Sequence, residues 1–452
     1  MPPRPRRESG RNPSGREYGN RSGNRSGNRS SHNQSGPAPL FGKGSTVRPQ
    51  KDRWPLAAEH LVSRSLDLPD ELPQVEVKSP TRQTAIFRKR VSDVGPRAKH
   101  GDIVQVMLPE GDVLGYGIFN PRAEAMLKML TWEQERPDLA WWQGQLDRAM
   151  ALRERVGVRQ HADACRLIHA EGDGLPGVVA DIFGDVLSIE TYSLGMFQRA
   201  EALAAELVAR TGARHWMIQP APNTLDTEGY THPGFTSEKL PRRKAITEYG
   251  VTYEVDFATG HKTGFFCDQR LNRHQLRDYC AGRTVLDLCC YSGGFSINAA
   301  KGGAKEVTGV DLDETAIAAA KRNANLNHAK VRFVHADAFA YMRDMQRNGT
   351  QFEVVVLDPP KLIMSRDGYE EGQRKYYDFN RLAASLVAPG GMLVTCSCSG
   401  LMPTEEFIKT VTAAVPFNRQ PRMLARTGAA PDHPVSLNCP ETEYLKCVWM
   451  LL

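Results

Sequence analysis

The sequence has no run of about 18 apolar residues, the length that a membrane-spanning helix needs. It also has no apolar segment behind the basic residues at its beginning, so it does not show the pattern of a secretory signal. We therefore expect a cytoplasmic protein with no membrane partner. With 452 residues, 40% of them hydrophobic, the chain can bury sizeable cores, and its length predicts two or three domains.

The nine cysteines form neither a disulfide framework nor a zinc-binding pattern. Cys289-Cys290 and Cys396-x-Cys398 stand close together, the other five are isolated, and no repeated C-x-x-C spacing occurs. We therefore expect reduced thiols and no metal site. A small buried hydrophobic residue is the simplest interpretation of each cysteine except Cys398.

The first fifty residues contain few acidic and few aliphatic side chains. Nine arginines and one lysine stand against Glu8 and Glu17, a net charge of +8, whereas the remaining 402 residues carry a net charge of −2. N-R-S-G repeats run from Asn20 to Ser30. The composition predicts a disordered basic arm over residues 1–50. Such an arm either tethers RNA phosphates or is a solvated extension that has no task or contacts some other partner, and the sequence favours neither interpretation.

Two regions of mixed pattern follow the arm. Residues 102–107 and 113–118 alternate apolar and polar side chains between glycines and prolines, which predicts strands of a small β domain over residues 73–145. The apolar spacing of residues 139–155 is roughly helical. Strand patterns over residues 166–194 and a helix over residues 197–210 then indicate a middle α+β domain over residues 150–250.

Residues 251–452 show a regular alternation of strands and helices. Short apolar runs at 285–288, 307–310, 331–334, 354–357 and 392–395 are separated by helical segments such as 314–327. Buried strands that alternate with helices are typical of an α/β fold with a doubly wound, Rossmann-like parallel sheet. Ligands bind such sheets at the carboxyl ends of the strands.

Candidate ligand-binding residues follow three of these strands. The first strand carries Asp287 and leads into a glycine turn with Tyr291, Gly293 and Gly294, where a ligand can approach the backbone. Asp311 ends the next strand, about twenty residues on, where a carboxylate can bind a ribose diol.

The third strand is followed by Asp337, a residue type that suits an adenine amino group. For Asp311 and Asp337 alike, a helix N-cap is the alternative interpretation, and Asp313 could equally supply the first of these caps.

The fourth and fifth strands end in residues that suit covalent chemistry on a base. Asp358 is followed by two prolines, which fix an extended backbone and hold the carboxyl group at the sheet edge. Cys398 follows the fifth strand, where we expect it to neighbour Asp358 across adjacent strands. A thiolate that adds to carbon 6 of cytosine makes carbon 5 nucleophilic, and a fixed acid on the ring-nitrogen side stabilises the adduct. Lys361 or Lys262 could favour the thiolate, although both are more often solvated.

Several motifs together resemble the large-subunit rRNA methyltransferase I family. They are the segment 261–270 with His-Lys-Thr-Gly-Phe-Phe-Cys-Asp-Gln-Arg, the Tyr-Ser-Gly-Gly-Phe turn, Asp-Pro-Pro-Lys, Ser-Cys-Ser-Gly-Leu-Met at 397–402, His-Pro-Val at 433–435 and Glu-Tyr-Leu-Lys at 443–446. The resemblance covers residues 73–452. It implies a PUA domain, a middle α+β domain and a class I methyltransferase domain that uses S-adenosylmethionine to form 5-methylcytosine in 23S rRNA.

The resemblance also implies roles for individual residues. It places the nucleophile at Cys398 and puts Asp268, Gln269 and Arg270 in the cofactor site. The chain departs from the family at residues 84–90, where the usual His-Pro-Trp-Val-Phe stretch is replaced and Arg88, Lys89 and Arg90 form a basic cluster. That cluster either contacts phosphate or is a solvated face.

Two other functions remain as alternatives. One is an rRNA guanine methyltransferase on the same scaffold, which needs no covalent nucleophile and against which Cys398 argues. The other is an inactive RNA-binding factor of ribosome assembly, which predicts RNA binding without methyl transfer. The sequence leaves the oligomeric state open, with a homodimer among the alternatives.

Overall fold

The computed structural model describes residues 54–258 and 264–452 of the chain. The predicted arm over residues 1–50 lies outside the described residues, as does Lys262. All of these described residues lie in one compact unit of the chain.

The first part of the described chain forms a six-stranded sheet. Its strands are β1 (Gln74–Val77), β2 (Ala85–Ile86), β3 (Val91–Val94), β4 (Ile103–Met107), β5 (Val113–Phe119) and β6 (Leu127–Thr131), in the order β2-β6-β5-β4-β1-β3. Only β1 and β4 pair in parallel; the other neighbours are antiparallel. Alternate side chains such as Val75, Val77 and Val104 form its buried core, as the period of a strand requires.

A five-stranded sheet with helices forms the middle of the chain. Its elements are α1 (Leu139–Arg155), β7 (Ala164–His169), β8 (Val178–Phe183), β9 (Val186–Thr191), α2 (Leu194–Thr211), β10 (His215–Pro220), α3 (Thr224–Glu228) and β11 (Phe235–Thr236), with strand order β11-β10-β9-β8-β7. Asp138 and Ser193 cap α1 and α2, each accepting a hydrogen bond from a backbone N–H of the first turn. Every residue of β8 and β9 is buried, so these two strands form the centre of the sheet.

A hairpin connects this region to the last part of the chain. It consists of β12 (Arg243–Glu248) and β13 (Val251–Asp256), and the predicted boundary at residue 250 falls in its turn. Asn323 and Asn327 of the later helix accept the backbone N–H groups of Glu254 and Thr252. The hairpin is therefore held against the last part of the chain.

The last part of the chain is a seven-stranded sheet with helices on both faces. Its elements are α4 (Arg270–Leu276), β14 (Thr284–Leu288), α5 (Gly294–Lys301), β15 (Glu306–Asp311), α6 (Glu314–Leu326), β16 (Arg332–His335), α7 (Ala338–Arg347), β17 (Phe352–Leu357), α8 (Tyr369–Leu386), β18 (Val387–Ser397), α9 (Thr404–Ala414), β19 (Arg422–Thr427) and β20 (Lys446–Leu451). The strand order is β16-β15-β14-β17-β18-β20-β19. The first five of these are parallel, and β20 runs antiparallel to both neighbours. The predicted doubly wound α/β sheet is confirmed.

A buried carboxylate, Asp432, joins the middle sheet to the seven-stranded sheet. It lies between β19 and β20 and accepts the Arg166 backbone N–H at 2.9 Å and the Arg270 guanidinium at 3.1 Å. Its backbone carbonyl accepts a hydrogen bond from Arg153 in α1 at 2.7 Å. Burial alone would raise the pKa of Asp432, but the charges and hydrogen bonds of His433 and Arg270 hold it well below its usual range.

Candidate active site

The direction in which strands are added to the sheet reverses at β14, and the candidate residues lie at this point. The chain leaves β14 to form β15 on one side and later returns to form β17 on the other. Loops after these strands diverge at such a switch point and leave a crevice at their carboxyl ends. Asp287 lies in β14, Asp311 ends β15, and Asp358 directly follows β17.

The turn between β14 and α5 is tightly constrained. Cys289, Tyr291 and Gly293 all have left-handed backbones, with φ values of 60°, 46° and 82°. A Cβ added at Gly293 would lie 3.1 Å from the Ala320 Cβ and 3.1 Å from the Phe333 ring. The turn therefore requires glycine at this position, where the absence of a side chain lets the backbone pass close to α6 and β16.

Asp311 ties this turn to the neighbouring strand. Its carboxylate accepts the backbone N–H of Tyr291 at 2.8 Å and that of Asp313 at 2.9 Å. The N-cap of α6 is Asp313 and not Asp311, so the interpretation of Asp311 as a helix cap does not apply. Asp337 does cap a helix, because it accepts the backbone N–H of Ala340 at the start of α7.

Asp287 is fully buried at the start of the site. One carboxylate oxygen accepts both the backbone N–H and the hydroxyl of Ser296, at 2.8 and 2.6 Å. The other oxygen has no hydrogen-bond partner among the described residues. Burial raises the pKa of Asp287 to about 7, and the charges of Asp358 and Asp311 act in the same direction. A buried oxygen without a partner suits a site that receives a polar ligand group.

The segment before α4 divides between two tasks. Gln269 donates a hydrogen bond to the Asp358 carboxylate at 3.0 Å, and Asp268 accepts one from the Tyr444 hydroxyl at 2.5 Å. The Arg270 side chain points elsewhere, because its guanidinium is paired with Asp432 and lies 3.7 Å from Glu248. The structure thus brings Asp268 and Gln269 to Asp358 but does not bring Arg270 there.

Asp358 is held in a state that can carry a proton at neutral pH. Burial, followed by the negative charge of Asp268, raises the pKa of Asp358 to about 7, against the opposing hydrogen bond from Gln269. The two prolines after it keep the carboxyl group at the end of β17. A carboxyl group in this state can donate a hydrogen bond as well as accept one.

The two cysteines at the end of β18 differ in accessibility. Leu357 pairs with Thr395, so the register places Cys396 opposite Asp358 and Cys398 two residues further along. The Cys398 thiol lies 3.8 Å from the carbonyl oxygen of Pro359, at the turn that follows Asp358. Cys398 is half-buried, whereas Cys396 is fully buried with its sulfur 3.2 Å from that of Cys447. Cys398 thus lies beside the turn that follows Asp358, on the adjacent strand, with Cys396 as the residue opposite Asp358.

Burial also separates the chemistry of these thiols. It raises the pKa of Cys396 well above the usual range, and the neighbouring Cys447 raises it further. A buried thiol of this kind is a poor nucleophile. Of the two cysteines, only Cys398 is placed to reach a ligand.

Sequence reasoning assigned no role to two residues that the structure brings to this site. Tyr444 contacts Asp268, and Lys446 donates hydrogen bonds to the carbonyl oxygens of Ser399 at 2.7 Å and Tyr444 at 3.0 Å. Both belong to the Glu-Tyr-Leu-Lys motif at 443–446, which was the available signal. Lys361, by contrast, has an exposed side chain.

The residues present fit S-adenosylmethionine. The glycine turn after β14 lets a ligand approach the backbone, Asp287 has a buried oxygen without a partner among the described residues, and Asp311 ends the strand where a ribose diol would lie. Within the part of the chain that the structure describes, no helix is long and apolar enough to cross a membrane.

Comparisons with known proteins agree with this geometry. A family model described as S-adenosylmethionine-dependent methyltransferase matches residues 166–432, and a PUA-like domain model matches residues 78–132. Two solved structures, one described as a methyltransferase complexed with SAH and the other as a SAM-dependent methyltransferase from Streptococcus mutans, each align with a TM-score of 0.72 and 20% identity. The alignments cover 84% of this chain and 100% of those chains, and they show the fold.

The relatives named ribosomal RNA large subunit methyltransferase I are more similar in sequence. The protein from Pseudoalteromonas atlantica is 36% identical over 81% of this chain and 94% of its own length. Those from Aliivibrio fischeri and Klebsiella pneumoniae are 35% and 34% identical over 81% of this chain, and 94% and 93% of their own lengths. With its sheet order, its constrained turn and these matches, the chain belongs to the ribosomal RNA large subunit methyltransferase I family of S-adenosylmethionine-dependent methyltransferases.

Proposed function

We propose that the chain methylates carbon 5 of a cytosine in large-subunit ribosomal RNA through a covalent adduct with Cys398. The observation that carries the proposal is the position of the Cys398 thiol, half-buried and 3.8 Å from the Pro359 carbonyl in the turn after Asp358. The relatives' name supports rRNA as the substrate class. The thiol supports cytosine over guanine, because a guanine nitrogen needs no covalent nucleophile.

The chemistry begins at Cys398. Carbon 5 of cytosine is too weak a nucleophile to accept a methyl group unaided, so the Cys398 thiolate forms a bond to carbon 6 and pushes the ring electrons toward carbon 5. S-adenosylmethionine supplies an electrophilic methyl group when it is bound. Loss of the carbon 5 proton to a base then restores the double bond and breaks the bond between carbon 6 and sulfur.

Asp358 acts on the opposite side of the ring. With a pKa of about 7, it carries a proton in a large fraction of molecules at neutral pH and can donate it toward the ring nitrogen as the thiolate adds. Gln269 fixes the second carboxyl oxygen at 3.0 Å. The acid is thus oriented before the base arrives.

The cofactor side of the site is assigned to residues at the switch point. In this proposal, the ones that line or shape the cofactor site are Asp268, Gln269, Asp287, Tyr291, Gly293, Gly294, Asp311, Asp337 and Asp358. Arg270, which the resemblance also placed there, instead holds the neighbouring sheet through Asp432. Its role in this proposal is to fix the position of Asp268 and Gln269.

The remaining parts of the chain are assigned to RNA. Residues 73–145 form a PUA-like RNA-binding part, residues 150–250 the middle domain and residues 251–452 the methyltransferase part, with the basic arm at 1–50 as an additional phosphate contact. Arg88 donates hydrogen bonds to backbone carbonyls of the loop between β5 and β6, whereas the Lys89 side chain is exposed. Of that basic cluster, Lys89 is the member best placed to meet phosphate.

The test is methyl transfer to unmodified 23S rRNA followed by nucleoside mass spectrometry. We expect 5-methylcytosine from the wild type and from Cys396→Ala, and a loss of about a thousandfold or more in Cys398→Ala. Binding of S-adenosylmethionine by calorimetry checks that each variant is folded. Product that forms without Cys398, or a methyl group on guanine, would contradict the covalent mechanism; RNA binding with no transfer by the wild type would favour an assembly factor.

A further inference from the structure

Lys446 is a buried lysine beside the proposed nucleophile. It is the first residue of β20 and pairs with Ser397 of β18, one residue before Cys398. The residue is 2% exposed, which is rare for lysine unless its charge is compensated. The pairing of β20 with β18 therefore fixes the backbone of Lys446 next to the turn that contains Cys398.

The ammonium group is oriented by backbone oxygens. It donates to the carbonyl of Ser399, the residue after Cys398, and to that of Tyr444. Among the described residues no carboxylate forms an ion pair with it. An ammonium group has three N–H donors, so two are used by these carbonyls and a third remains for an anion nearby.

The charges around Lys446 point to Cys398 as that anion. Burial lowers the pKa of Lys446 to about 8; the charges of Glu443 and a Cys398 thiolate oppose this shift, and Lys361 adds to it. With a pKa above 7 the group is mostly charged at neutral pH. A buried cation beside a thiol favours loss of the thiol proton, because the Coulomb attraction is little screened there.

We propose that Lys446 is the positioning residue that stabilises the thiolate of Cys398 and so makes it reactive at neutral pH. The inference rests on the proposed role of Cys398 as the nucleophile. The thiol proton leaves to solvent, the ammonium keeps its own protons, and the thiolate then bonds to carbon 6. Tyr376 supports the arrangement from α8, since its hydroxyl lies 2.9 Å from that of Ser399.

Other cations are less suited to this task. Lys361 has an exposed side chain, where water screens its charge and a flexible stem leaves it without a fixed position. Lys262, the second lysine that the sequence suggested, lies outside the described residues. Lys446 alone among the three is shown buried with its ammonium fixed to the backbone of the cysteine turn.

The experiment measures alkylation of Cys398 by iodoacetamide against pH, in the full chain without RNA, by peptide mass spectrometry. We expect an apparent thiol pKa below about 8.5, the ordinary value for cysteine. Lys446→Gln keeps a side-chain N–H donor but carries no charge, and should raise that pKa by at least one unit, which slows alkylation at pH 7 about tenfold. Lys446→Arg keeps the charge and should restore most of the rate.

Two results would overturn the inference. One is a wild-type thiol pKa at or above about 8.5, which decides the matter even if a variant fails to fold. The other is a folded Lys446→Gln protein, checked by thermal unfolding, whose alkylation profile matches the wild type. Because alkylation needs no RNA, a lack of 5-methylcytosine with the expected alkylation pattern would refute the proposed function and leave the thiolate assignment standing.

Discussion

At the scale of single residues, the site depends on two carboxyl groups that burial keeps partly protonated. Asp287 and Asp358 stand at adjacent strand ends, and each has a pKa of about 7. Burial is the main cause in both; the negative charge of Asp358 further raises the pKa of Asp287, and that of Asp268 further raises the pKa of Asp358. Their protonation should therefore be visible both in catalysis and in stability.

Replacement of Asp358 by asparagine should remove the proton donor while keeping the shape of the side chain. We expect kcat for methyl transfer to fall by about a hundredfold to ten-thousandfold. The contribution of Asp358 to wild-type activity should decline as pH rises through about 7, because Asp358 then loses its proton, and Asp358→Asn should lack this decline. Asp344→Asn, on the exposed side of α7, is the control; equal losses in the two variants would remove Asp358 from the mechanism.

Asp287 should make the protein less stable as pH rises. Its folded pKa is raised, so the stability that its protonated form contributes is present below the ordinary pKa of about 4 and is lost as pH rises to about 7. The unfolding free energy of Asp287→Asn should depend less on pH in this window. The change with pH should be smaller than in the wild type by a few kcal/mol, and by about 4 kcal/mol at most. Urea unfolding at pH 5 and pH 8 measures the difference, and parallel curves for both proteins would contradict the assignment.

At the scale of elements, the turn between β14 and α5 is the part that a single added methyl group should disturb most. Gly293→Ala places a Cβ at 3.1 Å from two side chains and forces a left-handed backbone on alanine. We expect a loss of about 1–3 kcal/mol in unfolding free energy and weaker binding of S-adenosylmethionine by calorimetry.

A second glycine separates the effect of crowding around the added Cβ from the effect of the left-handed backbone. Gly349 also has a left-handed backbone, with φ of 67°, but a Cβ there would meet nothing within 4 Å. Gly349→Ala should therefore cost only the backbone term, about 1 kcal/mol, and leave cofactor affinity unchanged. If Gly293→Ala costs no more than this control, the crowding at the turn has no consequence.

Elements with a clear period could be read from the sequence. The helix predicted over 139–155 is observed as Leu139–Arg155, and the one predicted over 314–327 as Glu314–Leu326. Local periodicity reports which face of an element is apolar, and this does not depend on distant residues. The hairpin of β12 and β13 was not predicted, although β13 alternates buried and half-buried residues, because the domain boundary expected at residue 250 falls in its turn.

The candidate site could be read only in part. The aspartates after the strands and Cys398 follow from the rule that parallel strands present their carboxyl ends at one edge. The contacts of Gln269 with Asp358, and of Lys446 with Ser399, join residues that are 89 and 47 positions apart. Contacts between residues so far apart in sequence leave no local sequence pattern. For the same reason Arg270 was assigned to the cofactor site with its neighbours Asp268 and Gln269, although its side chain binds Asp432.

At the scale of the whole molecule, Asp432 connects parts of the chain that are far apart in sequence. Asp432→Ala would leave the buried Arg270 guanidinium without one of its two partner carboxylates, and we expect a loss of about 3–5 kcal/mol in unfolding free energy. Glu71→Ala breaks the Arg97–Glu71 pair, in which both side chains are largely exposed, and should leave the unfolding free energy almost unchanged. If chemical denaturation gives similar losses of unfolding free energy for the two variants, the contacts of Asp432 contribute little to stability.

The basic arm can be tested on the same scale through its charge. Because residues 1–50 carry a net charge of +8 and the remainder −2, removal of the arm should weaken RNA binding and reduce its dependence on salt. Filter binding at two salt concentrations measures both quantities. An unchanged salt slope would show that the arm does not contact phosphate and would favour the solvated extension.

The Asp432 joint also limits how this catalytic fold can be recombined. A chimera that transplants residues 264–452 onto a foreign RNA-binding module would carry Asp432 and Arg270 away from the Arg166 backbone and from Arg153. Arg270 lies in the segment that presents Asp268 and Gln269 to Asp358, so the graft would also loosen the carboxyl group that we propose as the acid. In this lineage, the middle domain and the methyltransferase are therefore expected to be inherited, and engineered, as one unit.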